Sequence, residues 1–256
     1  MTYKVLSIDL DYIMGPTIEV YNSIAFDDNP MTRWKNLYEF TDFKESQFYI
    51  DQAALIYCYD VFLKGLKNCS NVSFGYDHDE ILYELQNRED IELVNIDHHD
   101  DIFALDFGDF AGSAVSSLNM EAEELRLHDR VHEGNWGAWL HLQGKLKKFE
   151  WIANPNSGNL NRNDFNYEFI GKDKYETYTR DMYKFKDYNF DYIFVCLSPQ
   201  YMPQAHWHYF TMFMMAYELY SGKKVDVDSF AKRKFQYVKQ FQKVTDEILY
   251  KRSNGG

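Results

Sequence analysis

The sequence predicts an α/β domain in which a mostly parallel sheet lies between two layers of helices. Three observations point there. Short apolar runs alternate with segments of helical spacing. The runs are short and mostly apolar, four to seven residues for most of them, and read as buried strands. The chain of 256 residues is long enough for one sizeable core, and we read residues 1–256 as a single domain.

The first run, Tyr3 to Ile8, begins almost at the N-terminus and reads as a strand. Helical spacing follows from Gln47 to Leu66, then a short strand from Val72 to Phe74 and a helix from Asp79 to Gln86. Ile91 to Ile96 is the next strand, and Ser113 to Leu127 and Gly134 to Leu146 are the next helical segments. Phe149 to Ala153 and Tyr192 to Leu197 complete the set of strands, separated by Asn154 to Asn166, where Asn, Gly and Pro predict a loop over one end of the sheet. A helix from Ala205 to Tyr220 carries Met212 to Met215 as core. Asp228 or Ser229 can cap a last helix with apolar positions Ala231, Phe235, Val238, Phe241, Val244 and Ile248, ahead of a frayed tail from Ser253.

Composition narrows the function classes. Lys and Arg number 27 against 40 Asp and Glu, giving −13 at pH 7, which argues against nucleic acid or an anionic membrane and suits a cationic substrate. No apolar stretch approaches the roughly 20 residues of a membrane span, and the N-terminus has no leader pattern. Cys58, Cys69 and Cys196 share no metal-type spacing and are odd in number, which favours a reducing cytoplasm and buried thiols.

The chemistry concentrates where strands end. In IDHHDD, Ile96 to Asp101, the residues Asp97, His99 and Asp101 alternate at a strand terminus, so extended backbone sends them to one side. Carboxylates and an imidazole facing one point repel and desolvate one another unless a cation joins them. In SIDLDY, Ser7 to Tyr12, Asp9 and Asp11 follow another buried strand, and open parallel sheets bind ligands beyond the carboxyl ends of their strands. A third strand ends in FGYDHDE, Phe74 to Glu80, where His78 takes the equivalent position and Asp77 or Asp79 can cap the helix.

These motifs resemble the arginase or ureohydrolase family, whose metal site joins a Gly-Asp-His histidine, an Asp-x-His-x-Asp group and a Ser-x-Asp-x-Asp group. The resemblance implies an arginase-like three-layer fold and gives each family ligand a candidate: His78, then Asp97, His99 and Asp101, then Asp9 and Asp11. It implies two Mn(II) ions, although the spacing also admits Zn or Fe, with Asp97 and Asp9 bridging, Asp101 and His78 on one ion, and His99 and Asp11 on the other. The Ser-x-Asp-x-Asp element comes first here and late in the family, which implies a rearranged strand order. The chain is most similar to peptide arginases, which convert peptidyl arginine to ornithine in ribosomally made peptides, through SIDLDY, IDHHDD, EGNW at Glu133 to Trp136 and CLSPQ at Cys196 to Gln200.

That resemblance implies an arginine-containing precursor peptide as partner and a hydroxide attacking the guanidinium carbon. The departing ornithine nitrogen needs a proton. His132 is the candidate donor, ahead of His128, His206 and His208, while His98 faces the other way for a supporting or packing role. Glu133 is the candidate for the guanidinium and Asn135 for the substrate main chain. In EGNW no serine precedes Gly134 and Asn135, so the family's Ser-Gly-Asn loop for free amino acids is not matched there, which favours a peptide, with the Asn154 to Asn166 loop and an aromatic rim as its groove. Competing expectations are an enzyme for free arginine, agmatine or another small guanidino compound, a one-zinc deacetylase of related fold, and a noncatalytic basic-peptide-binding module.

Overall fold

A computed structural model of the chain describes residues 2–15, 48–102 and 131–227. The expected helices at Ser113 to Leu127 and beyond Asp228, and His128, lie outside them.

Six strands form one sheet: β1 (Tyr3–Asp9), β2 (Val72–Gly75), β3 (Ile91–Asp97), β4 (Leu146–Ala153), β5 (Tyr175–Thr179) and β6 (Tyr192–Cys196). Their order is β2, β6, β1, β3, β4, β5, and every pairing is parallel. The order is non-sequential, as expected. β5 was hidden from the periodicity reading, because YETYT buries only Tyr175 fully and its other residues are half-exposed at the sheet edge.

The helices are α1 (Gln52–Leu66), a single turn α2 (Leu82–Leu85), α3 (Trp136–Leu142), α4 (Asn163–Ile170) and α5 (His208–Ser221). Asp51 starts α1 by accepting the Ala53 and Ala54 N–H groups, and Arg180 pairs with its other oxygen at 2.7 Å. In α5 the buried positions Phe210, Phe213, Met214 and Tyr217 follow helical spacing, whereas Met215 faces solvent. The expected core character of the methionine run therefore holds for Met214 and fails for Met215, which lies on the outer face of the same turn.

The alternation of strand side chains sorts the core into two layers. Leu6, Ile8, Val94, Ile96, Ile193 and Val195 pack with α1 and α5. Val5, Leu93, Phe149, Trp151, Tyr192 and Phe194 pack with α2, α3 and the end of α4 on the opposite face. The result is a three-layer α/β sandwich. Each buried large side chain contributes about 1.5–3 kcal/mol relative to exposure; Phe62, at 5.1 Å from Phe213 and 6.3 Å from Phe74, joins α1 to both α5 and the sheet.

The order also fixes where a site can form. From β3 the chain steps outward to β4 and β5, whereas from β1 it crosses to β2 on the other side of β6. The connections leaving β1 and β3 thus diverge, which opens a crevice at the carboxyl ends of these neighbouring strands.

The stretch Asn154 to Asn166 departs from the loop expectation. After Asn154 it forms a 3-10 turn, Gly158–Arg162, started by Ser157 accepting the Asn159 N–H, and continues directly into α4. Asn-rich composition hid this helix because its first turns are built from side chains that cap and bridge rather than pack.

Candidate metal centre

The divergent strand ends bring all six expected ligands together. Asp9 terminates β1, and its Oδ1 accepts the Asp11 N–H at 3.1 Å, turning the chain into a short 3-10 helix so that both carboxylates stay at the strand end. Asp97 terminates β3, and its Oδ1 accepts the His99 N–H at 2.8 Å, the same device on the neighbouring strand. His78 begins the 3-10 turn after β2.

His78 Nδ1 is the focus of one group, with Asp101 Oδ2 at 2.8 Å, Asp97 Oδ2 at 2.9 Å and Asp9 Oδ2 at 3.2 Å. His99 Nδ1 is the focus of the other, with Asp11 Oδ2 at 2.9 Å and Asp97 Oδ1 at 3.9 Å. Asp97 therefore turns one oxygen toward each group. Asp9, His78 and Asp97 offer ligand atoms all within 4.8 Å of one another, and so do Asp11, Asp97 and His99.

The donor set fits cations. His78 Nδ1 and Asp11 Oδ2 are buried against other ligand-type atoms, and with the imidazoles neutral their lone pairs would converge with no hydrogen between them. Oxygen and imidazole donors without thiolate suit Mn(II). With the imidazoles neutral, the carboxylates of Asp9, Asp11, Asp97 and Asp101 would carry −4, a charge that two divalent ions would balance.

The same crowding shifts the ionisation of these groups. Burial, then the Asp9 charge, pushes the Asp11 carboxyl well up. Burial, then Asp97, does the same to Asp101. Burial also opposes ionisation of Asp97, but His78 and then His99 hold that carboxyl well below its ordinary range. For His78 burial favours the neutral ring, yet the carboxylates led by Asp101 win and keep it protonated well above the ordinary imidazole value.

Residues outside the ligand set hold it in place, and sequence reasoning gave several of them no role. Ser7 Oγ lies 2.6 Å from His78 Nε2, and accepting that proton aims Nδ1 at the carboxylates. Ser198 Oγ donates to Asp9 Oδ2 at 2.5 Å, and Asn95 donates to Asp97 Oδ2 at 3.1 Å. Trp136 Nε1 donates to Asp101 Oδ2 at 2.7 Å and its ring lies 4.9 Å from His78. The signal for Ser7 and Trp136 was their place inside SIDLDY and EGNW; Asn95, two residues before Asp97 on the same face, was the analogous one for β3.

Asp101 and Ser198 take left-handed backbone, at φ 53° and 46°, a strained conformation for residues with side chains and one that recurs at functional sites. Gly137 makes room for the first of these turns. Its N–H donates to Asp101 O at 3.0 Å, and a Cβ there would meet that oxygen at 3.0 Å and Phe149 at 2.9 Å.

The structure distributes the remaining candidates as follows. His132 and Glu133 are partly exposed and adjacent, 4.0 Å apart at their nearest charged atoms. Burial, joined by the charges of Asp77 and Asp79, raises the Glu133 carboxyl while His132 opposes the shift, so Glu133 shares one acidic field with the His78 turn even with 28% of its side chain open. Asn135 is fully buried, and its Oδ1 accepts the His132 N–H at 2.9 Å, closing the turn into α3. His206 lies against Phe48 O and His208 against Ala205 O. His98 is buried, 5.5 Å from the His99 ring.

Trp136→Phe keeps a ring beside His78 and removes the hydrogen bond to Asp101. Its expected result is Mn(II) affinity lowered about 10–100-fold, the usual effect of losing a partner of a ligand, with the fold retained. Calorimetric titration with Mn(II) checks it, and unchanged affinity would mean that Asp101 needs no such support.

Compared with protein-family models, with curated proteins and with solved structures, the chain finds no significant match in any of the three.

Proposed function

We propose that the chain is a binuclear manganese hydrolase that converts arginine side chains of a precursor peptide to ornithine and urea. The observation that carries the metal reading is the pair of buried Asp/His groups sharing Asp97 at the carboxyl ends of β1, β2 and β3. Two Mn(II) ions bound there would supply water acidified for attack on a guanidinium carbon. Asp97 would contribute to both ions, with Asp9, His78 and Asp101 on one side and Asp11 and His99 on the other.

The chain's own groups support a cationic substrate. Glu133, Asp77 and Asp79 set a negative field beside the cluster, and the whole chain carries −13. Water adds its oxygen to the guanidinium carbon, the bond from that carbon to the ornithine nitrogen breaks, and the nitrogen must take up a proton as it leaves. His132 is the proposed donor, and the Gly134 N–H, 3.1 Å from its Nδ1, fixes the ring in this turn. Asn135 would act by holding this turn rather than by touching the substrate.

A peptide rather than free arginine is favoured by the likeness of SIDLDY, IDHHDD, EGNW and CLSPQ to peptide arginases, and the reaction belongs in a reducing cytoplasm, in keeping with three buried free thiols. Among the described residues no helix is long and apolar enough to cross a membrane.

Urea release from an arginine-containing peptide by Mn-loaded protein tests the reading, with free arginine as the parallel substrate and Asp97→Asn as the blank. Release from the peptide alone is expected. Release from free arginine instead identifies a small-molecule ureohydrolase. Peptide binding without turnover or metal identifies a noncatalytic module, and one tightly bound zinc moves the assignment to deacetylation.

A further inference from the structure

We infer that the asparagine-rich stretch from Asn154 to Asn166 is a bracket that sets the register of the two ligand-bearing strand ends against each other. Four of its side-chain amides reach the two turns that carry Asp9, Asp11, Asp97, His99 and Asp101. On the β1 side, Asn154 Nδ2 donates to Tyr12 O at 2.7 Å and Met14 O at 3.3 Å, and Asn156 Nδ2 donates to Gly15 O at 3.1 Å. On the β3 side, Asn166 Nδ2 donates to Asp100 Oδ2 at 2.7 Å, and Asn159 Nδ2 to Asp100 Oδ1 at 3.3 Å. The main chain joins in, with the Asn154 N–H donating to Asp97 O at 3.4 Å.

Asp100 is the anchor on the β3 side. It stands between His99 and Asp101, is fully buried, and takes no place in either Asp/His group. Alternation sends its carboxylate away from its two neighbours, and there the amides of Asn159 and Asn166 and the Ile102 N–H, at 3.4 Å, meet it. Behind Asn166 stands the sheet: its Nδ2 also lies 3.2 Å from the Tyr175 hydroxyl of β5, while Thr177 donates to Asn163 Oδ1 at 3.0 Å. A mobile surface loop would not bury Asn154 and Asn166 completely. These amides point inward to the ligand turns, whereas Pro155, Gly158, Asn161, Asp164 and Phe165 face outward.

Asn is suited to the task because its amide donates to carbonyl and carboxylate oxygens without bringing a second charge beside the cluster. Asn154, Asn159 and Asn166 are positioning residues. They touch no ligand atom, and they fix the turns from which the ligand side chains hang. This inference rests on the metal reading above.

The test is Mn(II) titration, read by calorimetry and by the electron spin resonance of bound Mn(II), on Asn166→Asp, Asp100→Asn and the double variant. Asn166→Asp opposes two carboxylates, and its expected affinity is about 10–100-fold below that of the unaltered chain, with a changed resonance signal. The double variant turns the donor round, amide on 100 and carboxylate on 166, and is expected to regain the original affinity and signal. Asn159→Asp, at a half-exposed position, is expected to give a smaller loss and serves if Asn166→Asp does not fold. Phe62→Leu, in the layer on the other face, is expected to lower the melting temperature without altering affinity. Original affinity in folded Asn166→Asp, or no recovery in the double variant, overturns the bracket and leaves the metal reading standing. Absence of Mn(II) binding by the unaltered chain overturns both.

Discussion

Asp97→Asn is expected to abolish urea release and the thermal stabilisation by Mn(II) together. Among the described residues Asp97 is the one side chain with an oxygen turned toward each focus, Oδ2 to His78 and Oδ1 to His99, so an amide there offers one poor donor atom in place of two charged ones. Loss of a partner behind a ligand costs about 10–100-fold in affinity, and loss of a shared ligand must exceed that. A cation at about a thousand times its dissociation constant stabilises a fold by about 4 kcal/mol. At about 2–4 °C per kcal/mol for a chain of this size, that is a shift of roughly 8–16 °C. The unaltered chain is expected to show such a rise on Mn(II) addition and Asp97→Asn to show none, while remaining folded because both apolar layers are untouched. Scanning fluorimetry with and without Mn(II) measures it. An undiminished shift with undiminished turnover in Asp97→Asn would remove Asp97 from the centre.

The cation-free chain is expected to lose stability as pH rises from 5.5 to 8. In the unfolded chain Asp11 and Asp101 ionise near about 3.9; folded, both are raised well above that. Between those limits the native state holds protons the unfolded chain has released, so each rise in pH favours unfolding. His78 acts in the same direction: its stabilisation is complete below about 6.5 and is lost as pH climbs through its raised native value. Asp97 is the opposite case. Its stabilisation is complete above about 3.9 and is lost only as pH falls through its depressed native value, so it stays constant across the measured range. The melting temperature after chelation is expected to fall across this range, less steeply in Asp11→Asn, and saturating Mn(II) is expected to reverse the trend because metal replaces protons. A flat or rising melting curve after chelation would mean that these carboxyls do not confront one another.

Strand ends were legible in the sequence because short, mostly apolar runs stop at Asp9, Gly75 and Asp97, where acidic residues, glycine and histidine take over. The ligand candidates followed from those stops. The edge strand β5 was not legible, since Glu176, Thr177 and Tyr178 pack against only part of the sheet. Nor was the role of Ser198, which meets Asp9 from a separation of 189 residues and depends on β6 lying beside β1, a neighbourhood no local pattern encodes. The inward direction of Asn154, Asn159 and Asn166 was hidden for a related reason. The same residue types mark solvated turns, and only the tertiary position of the two ligand turns decides which way an amide points.

The parallel sheet has a kinetic consequence. His78, Asp9 and Asp97 come from three strands that are joined only by crossovers, with β6, the last in sequence, separating β1 from β2. Contacts that close such long loops form late on the route to the native state. An ion that needs all three side chains binds after that route is complete. Mn(II) is therefore expected to leave the refolding rate nearly unchanged and to slow unfolding, making the centre a determinant of how long the fold persists rather than of how fast it forms.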